Sequence, residues 1–266
     1  MPVHLNTILS ELQQIAPLEF AETWDNVGLL VGDRDRHILS AMTCLTLTNT
    51  TLQEAIDEKV ELVVCHHPIP FKPLNKLTGD TTTGKLLLRA ISAGIAIYSP
   101  HTAWDNAATG INQQLAEMLE LDGITALQPF AQLPTHDTTL GIGRYGRCKT
   151  DGVNSIEAVF VRLSTTLHGI QPRHTHSLGH SISKIGIICG SGGSMLGLVA
   201  SRGCDAMLTG EATYHQCLEA ESLGIAMILI GHHASESFAM KSLAVQLQQR
   251  LPECRIIASS RETSLF

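Results

Sequence analysis

Three short stretches of this 266-residue sequence carry side chains able to bind a transition-metal ion. His66 and His67 stand in VELVVCHHP, His101 and Asp105 in GIAIYSPHTAWD, and His232, His233 and Glu236 in IAMILIGHHASE. Each group follows an apolar, β-rich run, so each lies just past the carboxyl end of a predicted strand. In open α/β sheets ligands bind in the crevice beyond those ends, which lets groups far apart in sequence converge. His232 and Glu236 are four residues apart at the start of a predicted helix and share a face, so one ion can take both. Adjacent residues of an extended chain point apart, which makes His66 and His67 ligands for two different ions where the strand has ended and the chain turns. Imidazole with carboxylate suits zinc, iron, manganese or cobalt better than calcium, and Glu236 or Asp105 can bridge two ions.

Ordinary readings compete with these. A lone His-His pair is usually a surface or satisfied core feature; three such groups after three strands favour ligation. His168, His174, His176 and His180 lie in a polar stretch without acidic partners and read as solvated loop residues. CGSGGS (189–194) follows a strand and opens a helix, so its N–H groups can cradle phosphate. It lacks the P-loop lysine and the third glycine of the dinucleotide fingerprint, and close backbone packing explains it equally well. In TGEATYH, Glu211 and His215 either face a substrate or cap a helix. Cys65, beside the first His pair, alternates into the buried side of its strand.

These groups need elements to position them. Leu5, Ile8, Leu9, Leu12 and Ile15 have amphipathic helical spacing, ended by Pro17. There follow strand 39–47, helix 51–58, strand 61–65, helix 84–92, strand 95–98 and helix 109–119. From about 122 the sequence becomes rich in Gly, Pro and Thr, and a strand-like run covers 155–163. Alternation resumes with strand 184–189, helix 194–202, strand 205–208, helix 213–222, strand 225–230 and a long helix 234–250. The pattern predicts an α/β fold of two related domains, with helices packed on largely parallel or mixed sheets. The first domain is expected over 1–125, completed by 235–266, and the second over 126–234, with the metal site in the cleft between them.

Composition narrows the function. With 18 basic against 25 acidic residues the net charge is -7, the wrong sign for gripping phosphate backbones, so nucleic acid is not an expected partner. The N-terminus lacks a signal-like basic and apolar sequence, and no stretch is long enough to span a bilayer, so a cytoplasmic protein without a membrane partner is expected. The seven cysteines have no framework spacing and read as reduced thiols.

At WDNVGLLVG (24–32), HHPIPF (66–71), SPHTAWDNAATGIN (99–112), GIGRYGR (141–147), CGSGGS, TGEATYH and GHHASE the chain resembles the GTP cyclohydrolase 1 type 2 homolog family, the dinuclear metal centre or Nif3-like proteins. The resemblance runs nearly end to end. It implies a two-domain α/β subunit in a ring-shaped homohexamer, with two divalent metal ions per subunit held by His66, His67, Asp105, His232 and Glu236. It also implies that His101 is an outer partner or occasional ligand, and that Trp24, Asp25 and Asn26 lie beside the site. Three positions depart from the family: His233 stands for a frequent tyrosine, Thr46 for an acidic residue and Glu211 for an aspartate.

Two functions follow. The first is a hydrolase in which the metal pair activates water against a cyclic amide, an imidazole ring or a phosphoester of a small molecule, with a nucleotide such as GTP implied by the resemblance. The catalytic group is then the activated water, aided by His101 or His233, with Trp24, Asp25, Asn26, Glu211 and His215 on the substrate side. The alternative is a non-catalytic metal-binding scaffold or regulatory protein acting through protein partners.

Overall fold

The opening pattern forms the helix Leu5–Ile15, whose five apolar positions are all buried. This computed structural model describes residues 2–130, 138, 140–149, 152–167, 170 and 172–264. Its contacts divide the chain into two units, Met1–Trp104 with Ala239–Phe266, and Asp105–Phe238. The division falls earlier than the composition change near 125. The reason is that Asp122–Thr125 pairs with Arg144–Arg147 and the helix Ile111–Met118 packs on the same sheet.

The first unit is built on a five-stranded sheet in the order Arg255–Ala258, Ser40–Cys44, Leu62–Cys65, Ala96–Ser99, Gly28–Val31. The first four strands are parallel and the last is antiparallel. The three inner strands are buried at every position, the mark of a sheet covered on both faces. On one face Met42, Val63 and Ile97 pack with Leu52, Leu86 and Leu87 from the helices Asn49–Asp57 and Thr82–Ser92. A reciprocal Thr48–Thr51 capping box fixes the start of Asn49–Asp57 immediately after the loop that leaves Ser40–Cys44.

The second unit carries a six-stranded mixed sheet: Arg173–His174, Ala226–Leu229, Ala206–Thr209, Lys184–Ile188, Arg144–Arg147, Asp122–Thr125. Only Lys184–Ile188, Ala206–Thr209 and Ala226–Leu229 run parallel. Arg144 is fully buried there, its guanidinium donating to Gln113 Oε1 and to the carbonyls of Gly141, Gly143 and Ala107. The mixed α/β class expected above is thus observed.

Two expected elements differ. Residues 155–163 form the helix Ile156–Ser164, capped by Ser155 Oγ, which accepts from Ala158 N. Ile156, Val159 and Leu163 are its buried positions, a helical spacing that the short apolar run IEAVFV disguises as a strand. The long helix over 234–250 is two helices, His232–Glu236 and Phe238–Arg250. Among the described residues no helix is long and apolar enough to cross a membrane.

Candidate metal centre

In the first unit the strand Leu62–Cys65 runs straight into His66 and His67. Their amides extend the ladder, His66 N donating to Cys44 O (3.0 Å) and His67 N to Leu45 O (2.9 Å). His66 is only 1% exposed, and Ser99 Oγ donates to its carbonyl. The neighbouring strand Ala96–Ser99 leads through Pro100 to His101, which opens the helix His101–Asn106 at φ 30°, a conformation uncommon outside glycine. The outcome is a trio: ligand-capable nitrogens of His66, His67 and His101 lie within 4.8 Å of one another. Three imidazoles so close fit a transition-metal ion by donor chemistry and spacing.

Asp25 holds His101 in place. Its carboxylate lies 2.8 Å from His101 Nδ1 and accepts from Thr102 N at 3.1 Å and from the Thr102 hydroxyl. Burial works to raise the Asp25 carboxyl, and the hydrogen bonds from His101 and Thr102 overcome it, leaving it below the usual carboxylate range. Thr46 Oγ1 lies 2.7 Å from His67 Nδ1. Two aromatic rings flank the trio: Trp24, 61% exposed, and Phe71 each lie 6.2 Å from the His101 ring and 6.0 Å from each other. Asn26 is occupied structurally, donating from Nδ2 to Pro70 O.

In the second unit Ala226–Leu229 leads through Gly231, at φ 89°, into the helix His232–Glu236. The expected shared face is realised: His232 Nε2 lies 3.1 Å from Glu236 Oε2. His232 Nδ1 lies 3.2 Å from Glu211 Oε2, which also accepts from Ser191 Oγ at 2.9 Å. Glu236 first, and Glu211 after it, raise the His232 pKa to about 9 against the opposing effect of burial. The same contacts hold the half-exposed Glu211 carboxyl below its ordinary range. Asp105 is fastened twice: Asn112 Nδ2 donates to its carbonyl (3.2 Å), and Cys189 Sγ donates to Oδ1 (3.3 Å). Burial, then Asp105 and Glu236, push the Cys189 thiol well above its usual value, so it acts as a donor and not as a thiolate.

The CGSGGS loop resolves toward packing. Cys189 N donates to Asn112 Oδ1, Gly190 N to Ser235 Oγ, Gly192 N to Thr209 Oγ1 and Gly193 N to Glu211 O, so four of its amides serve the protein. Gly190 has φ 62°, and a Cβ there would run into the Glu236 carboxylate. The glycine lets Glu236 lie against the backbone.

The remaining expected residues separate. His215 is exposed on the helix Tyr214–Ser222, edge-on to Tyr214. His233 Nε2 is buried and has no hydrogen-bond partner among the described residues. His176 and His180 lie with ring centroids 4.4 Å apart and tilted by 48°, and His174 lies on the edge strand; His168 falls outside the described residues. Cys65 is buried with its thiol pushed up to about 12 by burial. Sequence reasoning passed over Phe71 and the contacts made by Thr46, Asn112 and Cys189. Phe71 alone had a signal, as an aromatic in the HHPIPF stretch.

Together these describe an α/β protein that presents imidazoles and carboxylates past the ends of its parallel strands. The Duf34/NIF3 (NGG1p interacting factor 3) family profile matches residues 3–264. A Clostridium perfringens protein named GTP cyclohydrolase 1 type 2 homolog is 32% identical over 247 residues, 93% of this chain and 92% of that one. NIF3-like protein 1 of Drosophila melanogaster is 31% identical, over 96% and 86% of the two chains. The crystal structure of a Bacillus cereus protein related to NIF3 superposes with a TM-score of 0.88 over 98% of each chain, at 20% identity. The chain belongs to the Duf34/NIF3 family.

Proposed function

We propose that this chain binds two divalent transition-metal ions per subunit through His66, His67, Asp105, His232 and Glu236, and that it is a hydrolase of a small molecule carrying a cyclic amide, an imidazole ring or a phosphoester. The observation that carries the metal reading is shared by two of these imidazoles and by His101, the outer partner or occasional ligand beside them. His67, His101 and His232 each have Nδ1 against an oxygen, of Thr46, Asp25 and Glu211 respectively. A carboxylate at Nδ1, as Asp25 and Glu211 provide, only accepts and so fixes the ring and the tautomer, and the Thr46 hydroxyl can accept in the same way. With Nδ1 donating, Nε2 is the nitrogen for an ion, the usual arrangement around metal-bound histidine. A divalent ion so held supplies Lewis acidity and lowers the pKa of a coordinated water.

The chain's own residues supply the rest. Asp25 orients His101, and the exposed faces of Trp24 and Phe71 offer a planar ring of a substrate a surface to stack on. His233, whose Nε2 is buried and has no hydrogen-bond partner among the described residues, is proposed to touch the substrate without ligating metal. The name of the Clostridium perfringens relative supports a nucleotide such as GTP as the substrate. The test is a panel of nucleotides and cyclic amides assayed with metal-replete protein. Activity is expected to rise with pH through about 7, to vanish on chelation and return with metal, and to fall in His233→Ala at unchanged metal content. If no substrate turns over and His233→Ala alters only protein binding, the chain is a metal-binding scaffold, a reading favoured by the interacting factor in the family's name.

A further inference from the structure

The C-terminal segment of the first unit reaches back toward His67. The strand Arg255–Ala258 lies parallel to Ser40–Cys44, and Ser259 N continues the pairing by donating to Thr43 O at 2.8 Å. Glu262 then turns its carboxylate onto the loop that leaves Ser40–Cys44. Leu45 N donates to Oε2 at 2.7 Å and Thr46 N to Oε1 at 2.8 Å. One carboxylate gripping two consecutive amides makes two charge-assisted hydrogen bonds and fixes the peptide between them. Both residues so fixed touch His67: Leu45 O accepts from His67 N at 2.9 Å, and Thr46 Oγ1 lies 2.7 Å from His67 Nδ1.

We propose that Glu262 is a positioning residue for the metal ligand His67, acting through Leu45 and Thr46; this rests on the metal-binding reading above. For His67 to give Nε2 to an ion, Nδ1 keeps its proton and donates it to Thr46 Oγ1. The place of that oxygen is set by the Thr46 backbone, and the Thr46 backbone is set by Glu262. The ring orientation therefore depends on a carboxylate 195 positions away in the chain, counted from residue 67 to residue 262. Thr46 stands where the family resemblance leads one to expect an acidic residue, so a neutral hydroxyl here takes the outer place that Asp25 and Glu211 fill for His101 and His232. The same tail has a second anchor that serves as an internal control. Glu54 accepts from Ser260 N at 2.8 Å, from the hydroxyls of Ser259 and Ser260, and from Arg261 N, and so ties the tail to the helix Asn49–Asp57.

The test measures Zn2+ dissociation constants of the full chain by competition with a chromophoric chelator, and visible absorption of the Co2+-loaded protein, with thermal unfolding followed in parallel. Thr46→Val, which keeps the amide and loses the hydroxyl, is expected to weaken Zn2+ binding by about 10–100-fold and to change the Co2+ bands at a near-wild-type unfolding temperature. Thr46→Ser is expected to restore both. Glu262→Gln, whose amide oxygen can still accept one of the two N–H groups, is expected to weaken binding less than Thr46→Val and to perturb the same bands. Ser260→Ala, which loosens only the Glu54 anchor, is expected to bind Zn2+ as the wild type does. Unchanged Zn2+ affinity in Thr46→Val or in Glu262→Gln overturns the inference, and so does an equal loss in Ser260→Ala, which would mark general loosening of the tail. A wild-type chain that binds no Zn2+ sinks the metal-binding reading along with it, whereas tight wild-type binding with indifferent variants sinks the inference alone.

Discussion

Glu236 lies against a backbone that only glycine can provide. At Gly190 the left-handed φ and the carboxylate pressed on the Cα leave no room for a side chain. Gly190→Ala is therefore expected to displace Glu236, to cost about 1–3 kcal/mol through the strained backbone, and to lower metal occupancy; full occupancy by elemental analysis would show that Glu236 is not a ligand. The proposed ligands were legible in the sequence, because histidine pairs and an i, i+4 His–Glu spacing are uncommon and fall after apolar runs. Their partners were not. Thr46 reaches His67, and Asn112 and Cys189 reach Asp105, through one hydrogen bond each, made across 21, 7 and 84 positions, and such roles leave no local pattern. CGSGGS illustrates a true ambiguity: glycines that approach phosphate and glycines that approach a carboxylate side chain read alike.

The elements that carry the site are held by polar ties at their ends as much as by their cores. Glu54, buried on the helix Asn49–Asp57, is one such tie. Burial acts to raise its carboxyl, and hydrogen bonds from Ser259, Ser260 and Arg261 prevail, so its folded pKa lies below the ordinary value. The sign follows from linkage: a depressed folded pKa gives stability that is present above the unfolded pKa, roughly 4.3, and is lost as pH falls through the folded one. Glu54→Gln is expected to lower stability by about 1–3 kcal/mol near neutrality. The difference from wild type should shrink in acid below that range. A gap between the unfolding temperatures that stays constant from neutral pH to acid would contradict the ionised tie. Parallel strands with continuous apolar runs were readable in sequence. The edge strands Gly28–Val31 and Arg255–Ala258 were not, being short and partly exposed. The helix Ile156–Ser164 was misread because six apolar-rich residues cannot distinguish a period of 2 from one of 3.6.

For the whole molecule, both units place the segments proposed to bind metal directly after parallel strands, which makes one chemical reading cover His66, His67 and the neighbouring His101 in the first and His232 and Glu236 in the second. The homohexamer implied by the family resemblance, which we propose for this chain, is expected to show in light scattering as about six times the 28.7 kDa chain mass; a monomer mass across the working concentrations would contradict it. The repeated β/α alternation made two α/β units readable from sequence, but the division at Trp104 was hidden, because it depends on pairing between Asp122–Thr125 and Arg144–Arg147 and not on composition. The central claim is that these strand ends hold metal, and it is tested most directly by elemental analysis of purified wild-type protein beside Glu236→Ala and His176→Ala. The account predicts close to two transition-metal ions per wild-type chain, a sharp fall in Glu236→Ala, where a carboxylate able to bridge two ions is lost, and no change in His176→Ala. Equal metal content in the two variants, or none in the wild type, would contradict it.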